Sequence, residues 1–101
     1  MPEIKYLPSF QQELNAIVDY ISLTLEAPRA ALNLLDELEI SINKLKKAPN
    51  AHRLYHPVKP IKTQYRIFTV KNYLVFYVVL EEHIELHRIV YKKRNLSQLI
   101  K

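Results

Sequence analysis

Three apolar runs lie close together within residues 65–94, and only short polar turns separate them. The middle run, Tyr73–Leu80, is eight residues of aromatic and aliphatic side chains, with polar pairs at 71–72 and 81–82 on either side. Runs of this length bounded by turn residues are typical of strands joined by hairpins. The pattern predicts a three-stranded antiparallel meander. Asn72 is the turn residue expected to tolerate the left-handed conformation that a two-residue hairpin demands.

The middle strand of this meander is apolar on both faces. Successive side chains of a strand point to opposite sides, and both sets of positions in Tyr73–Leu80 are apolar. Strands of this kind are usually covered on both sides. We expect a pair of helices to cover one face, and the C-terminal tail or a partner chain to cover the other.

The first half of the chain predicts a short strand followed by two helices. Residues 3–7 form a strand candidate that Pro8 ends. Ser9 and Gln12 have the spacing of a capping box, and an apolar stripe with helical spacing follows them. A second stripe begins after Pro28, which suits the first turn of a helix. The connection between the two helices is short, so we expect an antiparallel hairpin.

Residues 49–62 contain three prolines and predict an irregular connection with at most a short edge strand. The order of elements therefore predicts an α+β fold: an N-terminal strand, a two-helix antiparallel hairpin, and a three-stranded antiparallel meander. At 101 residues the chain is expected to form a single domain, residues 1–101.

Composition excludes several classes of function. The sequence has no cysteine and no glycine, so it offers no disulfide framework, no thiolate chemistry and no glycine-rich phosphate loop. We expect no cofactor. No apolar run approaches the roughly 20 residues that a membrane helix needs, and the N-terminus does not resemble an export signal. We expect a cytoplasmic protein without a membrane partner.

Charge is distributed unevenly along the chain. Residues 1–50 carry five Lys and Arg against seven Asp and Glu, a net charge of −2. Residues 51–101 carry ten Lys and Arg against three Glu, a net charge of +7, and the two halves sum to the +5 of the whole chain. A basic sheet half favours a polyanion such as RNA or DNA, or an acidic protein segment, as its partner.

Histidines offer two candidate sites. His52 and His56 have a spacing that suits a zinc pair on a helix, but they lie in a proline-broken segment without a third ligand, so no metal site is expected there. His83 and His87 share a predicted strand face with Glu85, and two imidazoles with a carboxylate can bind metal or move protons. The alternative is an exposed edge-strand face with no chemical role.

Cationic and aromatic side chains supply the remaining chemistry. Cleavage of RNA without a metal requires groups that deprotonate the 2′-hydroxyl, neutralise the phosphate and protonate the leaving oxygen. Arginine suits the phosphate, while tyrosine and histidine can move protons and tyrosine can stack on unpaired bases. The alternative is a solvated basic rim on an ordinary sheet. The residues expected to converge around the meander are Tyr65, Arg66, His87, Arg88, Tyr91, Lys92, Lys93 and Arg94.

Two segments, YR-x-F-x-V-x-NY-x-VFY-x-V from residue 65 and I-E-x-x-RI-x-Y-x-x-RN from residue 84, together with the order of elements, resemble the RelE/ParE superfamily of bacterial type II toxins. The resemblance covers essentially the whole chain. It implies a toxin that a cognate antitoxin holds inactive in a hetero-oligomer. RelE-like members cleave mRNA on the ribosome, and the positions that serve this reaction correspond to Arg66, Tyr91, Lys93 and Arg94.

ParE-like members of the same superfamily inhibit DNA gyrase. The segment 72–95 follows their layout, but Tyr91-Lys92 stands where they usually have a histidine-glycine pair. Two alternatives therefore stay open beside mRNA cleavage: a non-enzymatic gyrase inhibitor, and a nucleic-acid-binding module without toxicity.

The preferred hypothesis from the sequence is a metal-independent endoribonuclease whose partners are the antitoxin, the ribosome and mRNA. In this hypothesis Arg66 holds the scissile phosphate, and Tyr91 or His87 transfers protons. The assignment of roles is as follows: catalysis by Arg66, His87, Tyr91 and Arg94, and RNA binding by Tyr65, Arg88, Lys92 and Lys93.

Overall fold

A four-stranded mixed sheet with a helical pair on one face forms the fold. The computed structural model describes residues 2–57 and 61–93. The strand order is β1-β4-β3-β2, with β1 parallel to β4 and the other neighbours antiparallel. The predicted α+β architecture and both hairpin turns are confirmed. The elements are β1 (Glu3–Tyr6), α1 (Pro8–Asp19), a π-helical turn (Tyr20–Thr24), α2 (Pro28–Lys47), β2 (Arg66–Val70), β3 (Tyr73–Val79) and β4 (His83–Tyr91).

The main core lies between the helices and one face of the sheet, which we call the helix face. The stripe predicted for the second helix is largely buried there, and Leu45 is fully buried. In α1 Phe10 is fully buried, whereas Leu14 and Ile17 are only partly buried against the core, and Leu25, beyond the π-helical turn, is exposed. Within residues 2–57 and 61–93, no helix is long and apolar enough to cross a membrane. The buried residues of this core are Phe10, Leu34, Leu38, Ile42, Leu45, Phe68, Val70, Val75, Tyr77, Ile84, Leu86 and Ile89.

The opposite, second face of the sheet is covered by the connection between α2 and β2. Tyr55, Ile61 and Tyr65 pack there against a smaller apolar cluster. The expectation that the tail or a partner chain covers this face is therefore wrong for the part that the connection covers, while the tail from residue 94 lies outside the described residues. The buried members of this cluster are Ile67, Leu74, Phe76 and Val90.

The same connection also pairs with the outer edge of β2. Leu54 forms an isolated antiparallel bridge with Arg66. The amide of Tyr55 donates to the carbonyl of Tyr65 at 2.8 Å, and the amide of Ile67 donates to the carbonyl of Arg53 at 3.0 Å. The prediction of a short edge segment in this region is confirmed.

Ser9 does not form the predicted capping box. Helix α1 begins at Pro8, so Leu7 and not Ser9 is its N-cap residue, and it has no side-chain cap. Proline suits the first helical position because its missing N–H would have no partner in the first turn. The hydroxyl of Ser9 instead donates to the carbonyl of His87 at 2.7 Å, so a tertiary contact replaces the local one.

The β2–β3 turn places the left-handed conformation on Lys71 rather than on Asn72. Lys71 has φ 53°, and Glu26, which follows the π-helical turn, has φ 52°. A two-residue hairpin with positive φ only at its first central residue follows the pattern of a type II′ turn, where glycine is preferred. In this chain, which contains no glycine, a lysine occupies the position.

Tyr77 joins the helix-face core to the end of α2. Its side chain is fully buried, and its ring packs against Phe68 at 5.9 Å and against His52 at 6.2 Å. Its hydroxyl donates to the carbonyl of Pro49 at 2.8 Å. Burial raises the pKa of Tyr77 to about 12.

Candidate functional site

Arg66 is tied to the protein's own backbone. It lies opposite Tyr77 at the start of β2, and strand alternation with Phe68 places its side chain on the helix face. Its Nη1 donates to the carbonyls of His52 at 2.7 Å and Asn50 at 3.3 Å. The guanidinium therefore anchors the connection after α2, which is a structural task beside the phosphate role predicted for it.

Arg88 is held by a carboxylate from the first helix. Its Nε and Nη2 donate to Oε1 and Oε2 of Glu13 at 2.8 and 2.7 Å. Oε1 also accepts the amide of Ile89 at 3.2 Å. The hydrogen bonds that Arg88 donates to Glu13 raise the pKa of Arg88. Glu13 was not a candidate in the sequence, because 75 residues separate it from Arg88.

Four polar side chains form a continuous hydrogen-bonded row, which we call the Tyr65–His83 relay. The Tyr65 hydroxyl lies 3.1 Å from Nδ1 of His87. Nε2 of His87 lies 3.0 Å from one oxygen of Glu85, and Nε2 of His83 lies 3.0 Å from the other. Such a row can orient an imidazole and carry a proton along it. The predicted grouping of His83, Glu85 and His87 is therefore present, with Tyr65 added.

The relay lowers the pKa of Glu85, first through the hydrogen bond from His83 and then through that from His87. Because the folded pKa lies below the ordinary carboxyl value of 4.5, the stability that this effect supplies is present above that value. It is lost as the pH falls through the folded pKa.

We expect Glu85→Gln to lower the free energy of unfolding by up to about 1 kcal/mol at pH 7, since the group is partly exposed. The difference from the unmodified chain should shrink as the pH falls below 4.5 and through the folded pKa of Glu85. Urea unfolding across this pH range measures it. Glu82→Gln, in the exposed β3–β4 turn, is the matched control and should show no such pH dependence. A Glu85→Gln difference that is constant with pH would contradict the assignment.

The other histidine candidate consists of His52 and His56. His52 stacks on Phe68 with ring centroids 5.3 Å apart, and burial lowers its pKa. His56 is exposed on the connection. Across residues 2–57 and 61–93, no group of three histidine or acidic side chains is arranged to hold a metal ion.

Tyr91 lies away from both Arg66 and the relay. It pairs with Tyr73, at 5.9 Å between ring centroids, whereas Arg66 pairs with Tyr77 on the same strand. Four residues of strand separate these two positions, or about 13 Å. Lys92 and Lys93 are exposed just beyond β4, and Arg94 lies outside the described residues. The structure thus brings together Tyr65 and His87, and it does not bring Arg66 or Tyr91 to them.

An open apolar groove is a second candidate site of the described residues. It lies between the helical pair and the end of the sheet at the β2–β3 turn, with a volume of about 800 Å³. Tyr20 and Leu25 in its wall are each 54% exposed. The sequence did not predict this groove, since it requires the relative placement of three elements. Its lining comprises Glu13, Ala16, Ile17, Tyr20, Ile21, Leu25, Ala30, Asn33, Leu34, Lys71, Asn72, Tyr73, Ile89, Val90 and Tyr91.

Comparison with known proteins assigns the chain to a family. Residues 4–96 match the family model described as "ParE toxin of type II toxin-antitoxin system, parDE". The chain belongs to the ParE toxin family. The predicted membership of the RelE/ParE superfamily is thereby confirmed, with ParE as the branch that matches.

A solved structure described as "Chromosomal ParDE TA system from P. aeruginosa" shares the ParE-family fold. The TM-score is 0.66 at 20% sequence identity, and the alignment covers 90% of this chain and 96% of that chain. At this identity the likeness concerns the fold. No curated protein matches the sequence.

Proposed function

We propose that this ParE-family chain arrests growth by binding and inhibiting DNA gyrase, and that a cognate antitoxin neutralises it in a hetero-oligomer. The match over residues 4–96 supports this proposal, because it favours the gyrase-directed branch over the RelE-like branch. Inhibition by binding requires a docking surface for gyrase but no catalytic residues. The endoribonuclease predicted from the sequence is therefore the alternative function.

The separation of the predicted catalytic residues is the observation that carries the proposal. Arg66 donates to backbone carbonyls, and Arg88 is paired with Glu13. Tyr91 pairs with Tyr73 in the groove at the other end of β3. A metal-free ribonuclease needs its cation and its proton-transfer groups around one phosphate. Arg88 lies near enough to Tyr65 to influence its pKa, but Glu13 pairs with it. Among the described residues, Arg66 and Tyr91 lie apart from each other and from the Tyr65–His83 relay.

The Tyr65–His83 relay is the one observation that favours RNA cleavage. It links a tyrosine hydroxyl to an imidazole and a carboxylate, which is a geometry suited to acid–base chemistry. The two mechanisms therefore differ in whether the hydroxyl of Tyr65 is needed.

The groove supports the antitoxin part of the proposal. Its lining is mainly apolar, and Lys71 lies in its wall with Lys92 and Lys93 exposed nearby. An antitoxin segment that carries apolar and acidic side chains matches this surface. The sequence placed the same kind of segment on the second face of the sheet, but the connection between α2 and β2 packs on that face.

The test combines induced expression with two assays of the target. Growth should stop on induction, transcripts mapped by primer extension should stay intact, and purified gyrase should lose supercoiling activity when the purified chain is added. Cleaved transcripts with normal supercoiling would overturn gyrase inhibition.

Tyr65→Phe separates the mechanisms further. This change removes only the hydroxyl and keeps the ring that packs on Phe76 at 5.8 Å. Under the proposal the variant arrests growth as the unmodified chain does. A folded Tyr65→Phe protein without toxicity would favour the endoribonuclease, because acid–base chemistry requires the hydroxyl.

A further inference from the structure

Lys71 occupies a backbone conformation that is unfavourable for lysine. Its φ of 53° lies in the left-handed region, where a side chain with a Cβ is disfavoured and glycine is the usual occupant. The residue is exposed and belongs to neither apolar core. Neither local backbone preference nor packing therefore accounts for a lysine at this turn.

Lys71 lies where its ammonium group can contact a partner bound in the groove. The residue lines the groove at the β2–β3 turn, and the carbonyl of the adjacent Asn72 accepts the amide of Lys92 at 3.0 Å. Both Lys92 and Lys93 are exposed, so three cations lie around this lip. Glu13, the carboxylate among the lining residues, is already paired with Arg88.

We infer that Lys71 is a specificity-determining residue that selects, for the groove, a partner segment whose carboxylate meets this lip. The inference rests on the antitoxin part of the proposed function. Apolar side chains of the segment fill the groove, while an acidic side chain pairs with Lys71. Opposite charge at the rim of an apolar site mainly governs the choice of partner and the rate of encounter. A left-handed conformation in a residue other than glycine is the kind of strain that persists at binding sites.

Three variants separate the charge of Lys71 from its backbone strain. Lys71→Gln removes the charge and keeps the strain, whereas Lys71→Gly removes both. Glu26→Gly relieves the left-handed backbone at φ 52° without removing a cation. We expect Tm to rise by about 4 °C in both glycine variants and to change little in Lys71→Gln.

Binding is measured with two synthetic peptides and the purified full-length chain. One peptide is a helix-forming sequence of leucine, alanine and glutamate, and the other has glutamine at every glutamate position. By fluorescence polarisation, the acidic peptide should bind the unmodified chain about tenfold more tightly than its glutamine counterpart at low salt, and the preference should weaken with added salt. The preference should persist in Glu26→Gly and disappear in both Lys71 variants.

Each contrary result overturns the inference. Equal binding of the two peptides, or no binding of either, would show that the groove does not select an acidic segment. A preference that survives in Lys71→Gln would place the selection elsewhere. Lys71→Gly without a rise in Tm would remove the argument from strain. None of these results involves gyrase, so a failure here is distinct from a failure of the proposed mechanism of toxicity.

Discussion

Replacing Ala30 by arginine should weaken binding of the antitoxin by roughly a hundredfold. Ala30 is exposed in the first turn of α2 and lines the groove, so its substitution fills the site without disturbing the core. If the arginine prevents the partner from burying about 100 Å² of apolar surface, the binding free energy weakens by about 2.5 kcal/mol. That loss corresponds to approximately two powers of ten in Kd. Isothermal titration calorimetry with the purified antitoxin measures the change.

Ala51→Arg is the matched control for this experiment. Ala51 is also exposed, and it lies on the connection after α2, away from the groove lining. The same charge is added in both variants, so the change in net charge alone cannot account for a difference between them. Antitoxin affinity that falls to the same extent in both variants, or in neither, would show that the groove is not the docking site.

The second large effect concerns the stability of the fold. Tyr77→Ala should lower the free energy of unfolding by about 4 kcal/mol, because it leaves a cavity at a fully buried aromatic position. Tyr77→Phe keeps the ring beside Phe68 and removes only the hydrogen bond to Pro49, at a cost of about 1 kcal/mol. Denaturant unfolding of the purified variants provides both values. A similar loss in the two variants would show that the ring contributes little.

The stability difference between Tyr77→Phe and the unmodified chain should also depend on pH. The pKa of Tyr77 is raised by burial to about 12 in the folded chain, above the ordinary value of 10.0. A raised folded pKa contributes stability that is fully present below pH 10 and is lost as the pH rises towards 12. The phenylalanine variant lacks this ionisation, so its deficit relative to the unmodified chain should shrink in alkali. A deficit that is the same at pH 8 and near pH 11 would contradict the assignment.

Local patterns were sufficient for most of the fold. The run Tyr73–Leu80 predicts β3, Tyr73–Val79, because strand length and turn residues are encoded within a few positions. The apolar stripes predict both helices because helical periodicity is also encoded within a few turns of sequence. The first hairpin turn was placed correctly, but its left-handed residue was not, since both Lys71 and Asn72 are compatible with a two-residue loop and only the path of the strands decides between them.

The candidate site was harder to predict, because its contacts join distant parts of the chain. Glu13 and Ser9 contact β4 across more than 70 residues of sequence, and no periodicity connects them. The grouping of His83, Glu85 and His87 could be predicted, since alternation along one strand places them on one face. The position of Arg66 relative to Tyr91 depends on strand register, which side-chain patterns alone did not fix.

The pairing of β1 with β4 has a consequence for how the protein is made. Within residues 2–57 and 61–93 these are the first and last strands along the chain. Ser9 and Glu13 of α1 also bond to β4, and their partners lie 78 and 76 residues later. A nascent chain on the ribosome thus has no partner for β1 until β4 has been synthesised. Contacts of such long sequence separation also close slowly. Translation of β4 therefore sets the earliest moment at which the folded toxin can exist.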